Sequence, residues 1–224
     1  DMFDNIAPAY DFMNRMMTLG IDKLWRRKAV GMLRRHHPQH ILDVATGTGD
    51  LAIALARQLS PETITGVDLS EKMISIARQK SAAETKGRTR FDFRAADCMA
   101  LPFADNTFDC VTVAYGVRNF ERLLDGYREM YRVLKPGGIL CVIELSTPVN
   151  RLVRPVYNFY TRHIIPLAGR LVSHDTRAYS YLPESIEAVA QGSDMTALMT
   201  RAGFRNATFR RLTFGVCTIY IGAR

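Results

Sequence analysis

The chain has 224 residues, of which 47% are hydrophobic and 23% charged, and its net charge at pH 7 is +8. This length and hydrophobic content exclude a mini-protein that depends on disulfides or metal ions, and they fit one α/β domain of ordinary size over residues 1–224. The positive charge favours an anionic partner, either nucleic acid or an acidic lipid surface.

The cysteines and the apolar runs exclude further classes of protein. Cys98, Cys110, Cys141 and Cys217 lie far apart, with no C-x-x-C pair and no clustered histidine. We therefore expect buried thiols in a reducing cytoplasm and no metal site. No apolar run approaches the roughly 18 residues of a membrane span, and the opening "DMFDNIAPAYD" lacks the features of a signal peptide, so a soluble protein is expected.

Residues 1–37 are predicted to form an N-terminal helical cap. The first helical pattern is interrupted at Pro8, and in the second Leu24, Trp25, Ala29 and Met32 recur at helical spacing. This segment precedes the first strand-like run, so we expect it to pack as an extension on the main domain.

After Pro38, apolar runs alternate with amphipathic segments. Strands are predicted at 41–45, 64–69, 91–95, 108–114 and 139–145, and helices at 50–58, 71–83 and 123–133. Because the strands are apolar almost throughout, this alternation predicts a parallel sheet with helices on both faces, an α/β fold. Two further runs, 207–212 and 216–221, are separated by "TFG" and predict an antiparallel hairpin at the sheet edge.

The stretch "ILDVATGTGDLA" carries Gly47 and Gly49 at the spacing of the alanine-ended dinucleotide fingerprint. Asp50 follows the second glycine directly, and Asp43 lies inside the preceding strand. A fixed negative charge in the first helical turn opposes a pyrophosphate. The pattern therefore favours a ligand with an ammonium or sulfonium group over NAD, and the lack of a plausible pair of hydride-transfer residues argues further against a dehydrogenase.

Two more acids follow the next strands. Asp68 ends the second strand, nineteen residues past Gly49, where a carboxylate can accept both hydroxyls of a ribose. Asp97 follows the third strand, where it can accept an adenine amino group while the backbone N–H of Cys98 reaches a ring nitrogen. Together with Asp43 these acids outline an adenosine with a methionine tail, although each acid alone is also compatible with a solvated loop or a helix cap.

The chain resembles a known family at these motifs. "ILDVATGTGD", "GVDLS", "RAADCMALPF" and "LKPGG" resemble the successive motifs of class I S-adenosylmethionine-dependent methyltransferases. "RVLKPGGILCVIELS" is similar to a full signature of the demethylmenaquinone and ubiquinone C-methyltransferase family, and "YDFMNRMMTLGIDKLW" to most of a second one. Thr18 and Asp22 depart from that second pattern, which carries serine and histidine there.

The resemblance implies a Rossmann-like, mostly parallel seven-stranded sheet that binds S-adenosyl-L-methionine, releases S-adenosyl-L-homocysteine and uses no metal. It implies C-methylation of a polyprenylated quinol: demethylmenaquinol to menaquinol, the last step of menaquinone biosynthesis. A demethoxyubiquinol-type benzoquinol is an alternative acceptor. An RNA acceptor is a further alternative, but "AYGVRN" and the absence of a Pro-Cys pair argue against nucleic acid. The predicted cofactor-binding residues are Asp43, Gly47, Thr48, Gly49, Asp68, Leu69, Met73, Asp97, Cys98 and Ala114.

Catalytic residues are expected after the fourth strand, in "AYGVRNF". Because arginine stays charged, Arg118 is predicted to stabilise the phenolate form of the quinol or to lower the pKa of a water molecule. Asn119 is predicted to orient that water or the quinol oxygen. A surface salt bridge from Arg118 to Glu121 or Asp125 is the alternative.

Other acceptor-side residues are expected in the cap and in an insertion at 147–182. Tyr10 is predicted to hydrogen-bond the acceptor and close the site against water, with core packing as the alternative. His163, His174 and Asp175 are candidate proton acceptors or structural residues.

The insertion at 147–182 mixes basic and aromatic residues. Between Asn150 and His174 it holds Arg151, Arg154, Arg162 and Arg170 and no acid. The mixture fits a nucleic-acid surface, an ordinary helical cap, or a lid that rests on lipid headgroups. With a polyprenyl quinol as acceptor, we expect the lid, a cytoplasmic protein in peripheral contact with the inner face of the membrane, and a homodimer as a further possibility.

Overall fold

Seven strands form a single sheet in the computed structural model of the chain, which describes residues 11, 14–15, 18–84, 88–165 and 183–224. The sheet order is β3-β2-β1-β4-β5-β7-β6. Strands β1 to β5 pair in parallel, and β7 runs antiparallel to both β5 and β6. The strands are β1 (His40–Val44), β2 (Thr63–Asp68), β3 (Arg90–Ala95), β4 (Phe108–Ala114), β5 (Leu134–Leu145), β6 (Arg205–Leu212) and β7 (Cys217–Ala223). This confirms the predicted mostly parallel α/β fold and the antiparallel C-terminal hairpin.

The helices fall between the strands as predicted, and most predicted boundaries lie within one residue of the observed ones. The α-helices are α1 (Asp22–Leu33), α2 (Asp50–Leu59), α3 (Glu71–Ala82), α4 (Leu123–Val133), α5 (Val153–Phe159) and α6 (Ser193–Arg201). Helix α5 continues as a π-helical turn, Tyr160–Ile164, and short 3₁₀ turns occupy Arg34–His36, Val117–Asn119 and Thr213–Gly215. A further helix covers residues 183–188. None of these described helices is both long and apolar enough to cross a membrane.

Both faces of the sheet are buried. Ile41 packs in a core with Trp25 and Leu55 on one face, whereas Leu42 packs in a second core with Tyr127 on the other. Successive side chains of a strand point to opposite faces, so two cores require helices on both sides. The strands are therefore apolar almost throughout because both faces of the sheet are covered by helices, as predicted.

Helix α1 differs from its predicted pattern in one respect. Trp25 and Ala29 are buried as expected, but Leu24 is 62% exposed. The inner face carries the buried ion pair of Asp22 and Arg26 instead, with Arg26 Nη2 2.5 Å from Asp22 Oδ2. Polar residues occupy this face because the helix covers a polar crevice there as well as the apolar core.

The sheet opens a crevice between β1 and β4. Strand β1 continues to β2 on one side and pairs with β4 on the other, so the strand order reverses between them, where ligands of such sheets bind. Ala45 and Tyr115, which follow the two strands, both adopt left-handed backbone angles, with φ of 52° and 58°. A Cβ atom at Gly116 would lie 2.6 Å from the Cβ atom of Ala45, so the close approach of the two turns requires glycine.

Candidate active site

A cavity of about 300 Å³ lies at the carboxyl ends of β1, β2, β3 and β4. Seven of the ten predicted cofactor-binding residues line it, together with the predicted catalytic residue Asn119; the seven are Gly47, Asp68, Leu69, Met73, Asp97, Cys98 and Ala114. Its remaining wall includes Met99, Tyr115 and Phe120. The acid and glycine motifs, which lie far apart along the chain, therefore meet in one cavity.

The polar groups of this cavity are mainly hydrogen-bond acceptors. The Asp68 carboxylate accepts from the backbone N–H of Gly47 at 2.9 Å and of Ser70 at 3.0 Å, which joins the end of β2 to the glycine turn. Asp97 accepts from the backbone N–H of Met99 at 2.8 Å. The buried Oδ1 of Asn119 has no hydrogen-bond partner among the described residues. Such a set suits a ligand rich in donors, such as ribose hydroxyls and an adenine amino group.

Asp43 and Thr48 line a smaller polar cavity of about 30 Å³ on the other side of the glycine turn. The Asp43 carboxylate is fully buried and accepts from the hydroxyls of Thr46 at 2.6 Å and Thr112 at 2.7 Å. Burial raises the pKa of Asp43 to about 6, and the two hydroxyls oppose that rise. Thr48 donates to Asp11 at 2.5 Å, which brings the N-terminal segment onto the glycine turn.

The charge of Asp50, which the sequence suggested would favour a cationic ligand, is paired within the protein. Its carboxylate forms salt bridges with Lys80 and, at 3.2 Å, with Arg26. These cations, with Lys80 the strongest, hold the pKa of Asp50 below its usual range against the opposing effect of burial. The negative charge after the glycines is therefore balanced within the protein, and it gives no argument for a cationic ligand.

Gly49 lies apart from the other predicted cofactor residues, because it lines neither cavity. Its φ of 82° is left-handed, and a Cβ atom there would lie 3.2 Å from the Cβ atom of Ala77 on α3. Gly49 thus allows the turn into α2 and the close packing of α3. Its position supports a structural rather than a contact role.

A second large cavity, of about 200 Å³ and mostly apolar, lies beside the first. Its wall includes Trp25 from α1, Tyr157 and Tyr160 from the helix after β5, and Ile186 and Val216 from later in the chain. Tyr115 lines this cavity and both of the others, so it stands where they meet. We call this second space the acceptor cavity.

Arg118 lines the acceptor cavity and is paired with a buried acid. Its Nη1 lies 2.8 Å from Glu144 Oε1, and its backbone N–H donates to Glu144 Oε2 at 3.3 Å. The same Nη1 donates to the carbonyl oxygen of Tyr115. The sequence alternative, a surface salt bridge to Glu121 or Asp125, is wrong: the partner is at the end of β5, and the guanidinium is held at the cavity wall.

Of the other predicted acceptor-side residues, the structure describes only His163. His163 is exposed, its ring centroid 5.1 Å from that of Phe159, and it is not among the residues lining the acceptor cavity. Tyr10, His174 and Asp175 lie outside the described residues. Their roles stay predictions.

Sequence reasoning missed several residues that the fold brings to the site. Asp11 and Lys80 form a 2.7 Å salt bridge over the glycine turn. Glu144, which holds Arg118, is part of the "RVLKPGGILCVIELS" signature, but its place in an apolar strand hid its partner. Tyr115 directly follows β4 and precedes "GVRN". A large side chain at this position, directly after a strand, was the signal in the sequence that could have identified it as a site residue.

The cysteines are buried and free, as predicted. At the cofactor cavity, burial raises the pKa of the Cys98 thiol to about 12. The thiol therefore stays protonated at neutral pH and acts as a small apolar wall group. In the described part of the chain, no group of three or more His, Cys, Asp or Glu side chains is placed to hold a metal ion.

We expect Asp43→Asn to stabilise the protein at neutral pH. In the wild type the folded state keeps a proton on Asp43 that the unfolded state releases, since the pKa is about 6 when folded and 3.8 otherwise. Stability therefore falls as pH rises from about 4 to about 6 and is constant above, a loss of about 3 kcal/mol. The side-chain amide of asparagine does not titrate, so the variant does not lose this stability as pH rises. Its oxygen and nitrogen can still hydrogen-bond both threonine hydroxyls.

Urea unfolding from pH 4 to pH 8 measures this effect, with Asp105→Asn, an exposed acid, as the control. The difference in unfolding free energy between Asp43→Asn and wild type should grow with pH through this window. An unchanged difference would contradict the raised pKa.

Comparisons with known proteins agree with this site. The family model of the ubiE/COQ5 methyltransferase family matches residues 1–224. A demethylmenaquinone methyltransferase of Bacteroides fragilis is 49% identical over 223 residues, which cover 100% of this chain and 91% of that protein. The ubiquinone/menaquinone biosynthesis C-methyltransferase UbiE of Geobacter sulfurreducens is 45% identical, in an alignment that covers 100% of this chain and 87% of that protein.

A solved structure supports the fold. The crystal structure of a SAM-dependent methyltransferase from Aquifex aeolicus superposes with a TM-score of 0.59 at 19% identity, over 82% of this chain and 81% of that chain. The family model matches the full length of the chain, and the relatives that are 45% and 49% identical also align over all of it. These alignments therefore include the sequence signatures described above. The chain therefore belongs to the ubiE/COQ5 methyltransferase family.

Proposed function

We propose that this protein transfers a methyl group from S-adenosyl-L-methionine to a ring carbon of a polyprenylated quinol, with S-adenosyl-L-homocysteine as the other product. The observation that carries the proposal is the contact between two cavities at Tyr115, one lined by acceptors for an adenosine and one apolar with Arg118 in its wall. The names of the relatives support the quinol as the acceptor class.

The residues of the larger cavity fit S-adenosylmethionine. Asp68, Leu69, Met73 and Asp97 all line it. Asp68 would accept the ribose hydroxyls and Asp97 the adenine amino group, while Leu69 and Met73 would give apolar contact to the base. The unpartnered Oδ1 of Asn119 is a further acceptor that a bound donor would satisfy. When bound, this cofactor supplies an electrophilic methyl group on a sulfonium.

The residues of the acceptor cavity fit an aromatic ring with oxygen substituents. Trp25, Tyr157 and Tyr160 contribute aromatic surfaces to its mostly apolar wall. Arg118 presents a fixed cation there because Glu144 and the Tyr115 carbonyl hold its Nη1. A guanidinium in this position stabilises negative charge that develops on the quinol oxygen, and it does so without reorganisation.

Methyl transfer from radiolabelled S-adenosylmethionine tests the proposal. A chemically reduced demethylnaphthoquinol, a reduced demethylbenzoquinol and bulk RNA are offered in parallel, with the unreduced quinones as controls. We expect label in a quinol but not in its oxidised form, because only the hydroxyl can be converted to an electron-donating phenolate. Label in RNA alone would overturn the proposal.

The same assay identifies the ring. Demethylmenaquinol is the proposed acceptor because the Bacteroides fragilis relative, at 49% identity, is named for that substrate. A benzoquinol is the second candidate, since the name of the Geobacter sulfurreducens relative includes ubiquinone as well as menaquinone. The ratio of kcat/KM for the two reduced rings decides between them.

We also propose that the protein, as one domain with a cap over residues 1–37 and a lid over 147–182, docks on the membrane through an apolar rim around the acceptor cavity. The rim is defined as Leu19, Val149, Leu152, Val156, Phe159 and Phe214, all well exposed. Leu152 is 85% exposed and Phe214 75%. Gly215 lies against Pro148 and Val149, which places the turn at 213–215 beside the start of the lid.

Vesicle flotation tests the rim. The double variant Leu152→Glu/Phe214→Glu should lose binding to vesicles that contain anionic lipid, because it puts charge where apolar side chains would enter the lipid. Lys72→Glu, on the exposed face of α3, changes the net charge by the same amount and should bind almost as wild type. Equal loss in both variants would mean that charge alone drives binding. Light scattering of the same samples tests the predicted homodimer, whose loss in the double variant would assign the rim to a second copy of the chain.

A further inference from the structure

The acceptor cavity contains one carboxylate. Asp22, the first residue of α1, is the only acidic side chain among the described residues that line this cavity. The residue is only 2% exposed, so its charge lies away from bulk water. A buried acid at a substrate cavity is a candidate for proton transfer.

The surroundings of Asp22 keep it ready to accept a hydrogen. Thr18 Oγ1 donates to Asp22 Oδ1 at 2.9 Å, and Arg26 Nη2 lies 2.5 Å from Oδ2. These partners fix the orientation of the carboxylate at the cavity. Arg26 itself is shared with Asp50, so the pair belongs to the ionic network that also reaches the glycine turn.

The other polar groups of the cavity are poor bases at neutral pH. Arg118 is always protonated. Burial raises the pKa of Tyr157 to about 12, and it raises the pKa values of Tyr160 and Tyr115 as well, so these phenols keep their protons. His163 is not among the residues lining the cavity. Among the described residues that line the cavity, Asp22 is left as the base that faces the acceptor.

We propose that Asp22 is the general base of the methyl transfer and accepts the hydroxyl proton of the acceptor. This inference rests on the proposed function, since it names the proton acceptor of that same reaction. It gives a role to a position at which the chain departs from the signature it otherwise resembles.

The quinol O–H bond breaks, its proton goes to an Asp22 carboxylate oxygen, and its electron pair forms the ring C=O bond. At the same time a ring C=C electron pair forms the bond to the methyl carbon, and the electron pair of the broken S–C bond stays on sulfur, which becomes a neutral thioether. The ring C–H proton leaves to water and its pair restores the aromatic ring, while Asp22 returns its proton to the ring oxygen. One proton is released overall.

An ordinary carboxylate is basic enough for this role. The quinol hydroxyl is weakly acidic in the ground state, but it becomes strongly acidic as the ring gives its electrons to the new carbon–carbon bond. Proton transfer to Asp22 therefore becomes favourable while the bond forms, which is the condition for general base catalysis. Arg118, in the same wall, stabilises the remaining charge on oxygen.

Two variants of the full chain test this proposal, with Asp125→Asn, a partly exposed acid on α4, as the matched control. Asp22→Asn keeps the shape but not the base, and we expect its kcat with the reduced quinol to fall by at least about 100-fold. Asp22→His loses the ion pair with Arg26 but restores a proton acceptor, so its kcat should lie within about tenfold of the wild type. The control should match the wild type.

Cofactor affinity by calorimetry and thermal unfolding are measured on each variant. Both should change little, since Arg26 keeps Asp50 as a partner. In Asp22→Asn the residual kcat should also rise as pH rises toward the pKa of a phenol, about 10, because solution then removes the hydroxyl proton. In the described part of the chain, Asp22 contacts Thr18 and Arg26, Tyr115 interacts with it electrostatically, Arg118 lines the same cavity, and Asp50 is linked to it through Arg26.

The outcomes separate the two proposals. No turnover of any quinol by the wild type overturns the proposed function and this inference with it. A wild type that is active beside an equally active Asp22→Asn overturns the inference alone. If Asp22→Asn fails to fold, Asp22→His decides: a folded but inactive histidine variant would show that the charge of Asp22 is structural.

Discussion

Replacing Arg118 by lysine should retain cofactor binding and reduce turnover by at least about 100-fold, the effect of losing one preorganised donor at a developing charge. The guanidinium is anchored through Nη1 by Glu144 and by the Tyr115 carbonyl, and its planar fork keeps the rest of the group at the cavity wall. Lysine has a single ammonium. That ammonium can pair with Glu144, but it then cannot reach the quinol oxygen as well.

The measurement for Arg118→Lys is steady-state kinetics with the reduced quinol, together with the dissociation constant of S-adenosylmethionine. Arg122→Lys is the matched control, because Arg122 is exposed and bonds Asp125 at 3.2 Å outside the cavities. The control should keep wild-type kinetics. Normal turnover in Arg118→Lys would remove the arginine from the mechanism.

Replacing Asp68 by asparagine should weaken S-adenosylmethionine binding by about 10- to 100-fold. A hydrogen bond to a charged group contributes about 1.5–3 kcal/mol, and each 1.4 kcal/mol is tenfold in affinity. The asparagine side chain has only one acceptor oxygen, whereas the carboxylate serves Gly47 and Ser70 through separate oxygens. The cavity then loses a charged acceptor for the ribose and gains a donor.

Calorimetry on Asp68→Asn and on Asp92→Asn, an exposed acid of the edge strand β3, measures this effect. Turnover at saturating S-adenosylmethionine should be largely retained, because Asp68 does not line the acceptor cavity. Thermal unfolding checks that the glycine turn survives. An unchanged dissociation constant would remove Asp68 from the ribose contact.

The cofactor cavity was predictable because its residues follow strands in order. Once the alternation of strands and helices predicts a parallel sheet, the residues after β1, β2, β3 and β4 must lie at one edge of it. Asp68, Asp97 and Ala114 accordingly line a common cavity. Glycine spacing added the turn itself, since few other residues tolerate its left-handed angles.

The pairing of Asp50 could not be predicted from the sequence, for a physical reason. A charge next to a motif is visible in the sequence, but its partners come from other elements: Arg26 lies 24 residues earlier and Lys80 lies 30 residues later. Hydrophobic periodicity shows which face of a helix is buried and not which charges meet across the interface. The same limit hid the pairing of Arg118 with Glu144.

The sequence by itself determined the fold class, the strand order along the chain and the family, because periodicity and contiguous motifs are local properties. Only the tertiary structure decided that Asp22 and Arg118 line one acceptor cavity, and that Tyr115 lines both this cavity and the cofactor cavity. These neighbours come from distant segments, and their meeting depends on how α1 and the helix after β5 pack over the sheet. That packing is a sum of many long-range contacts, which no local pattern in a single sequence encodes.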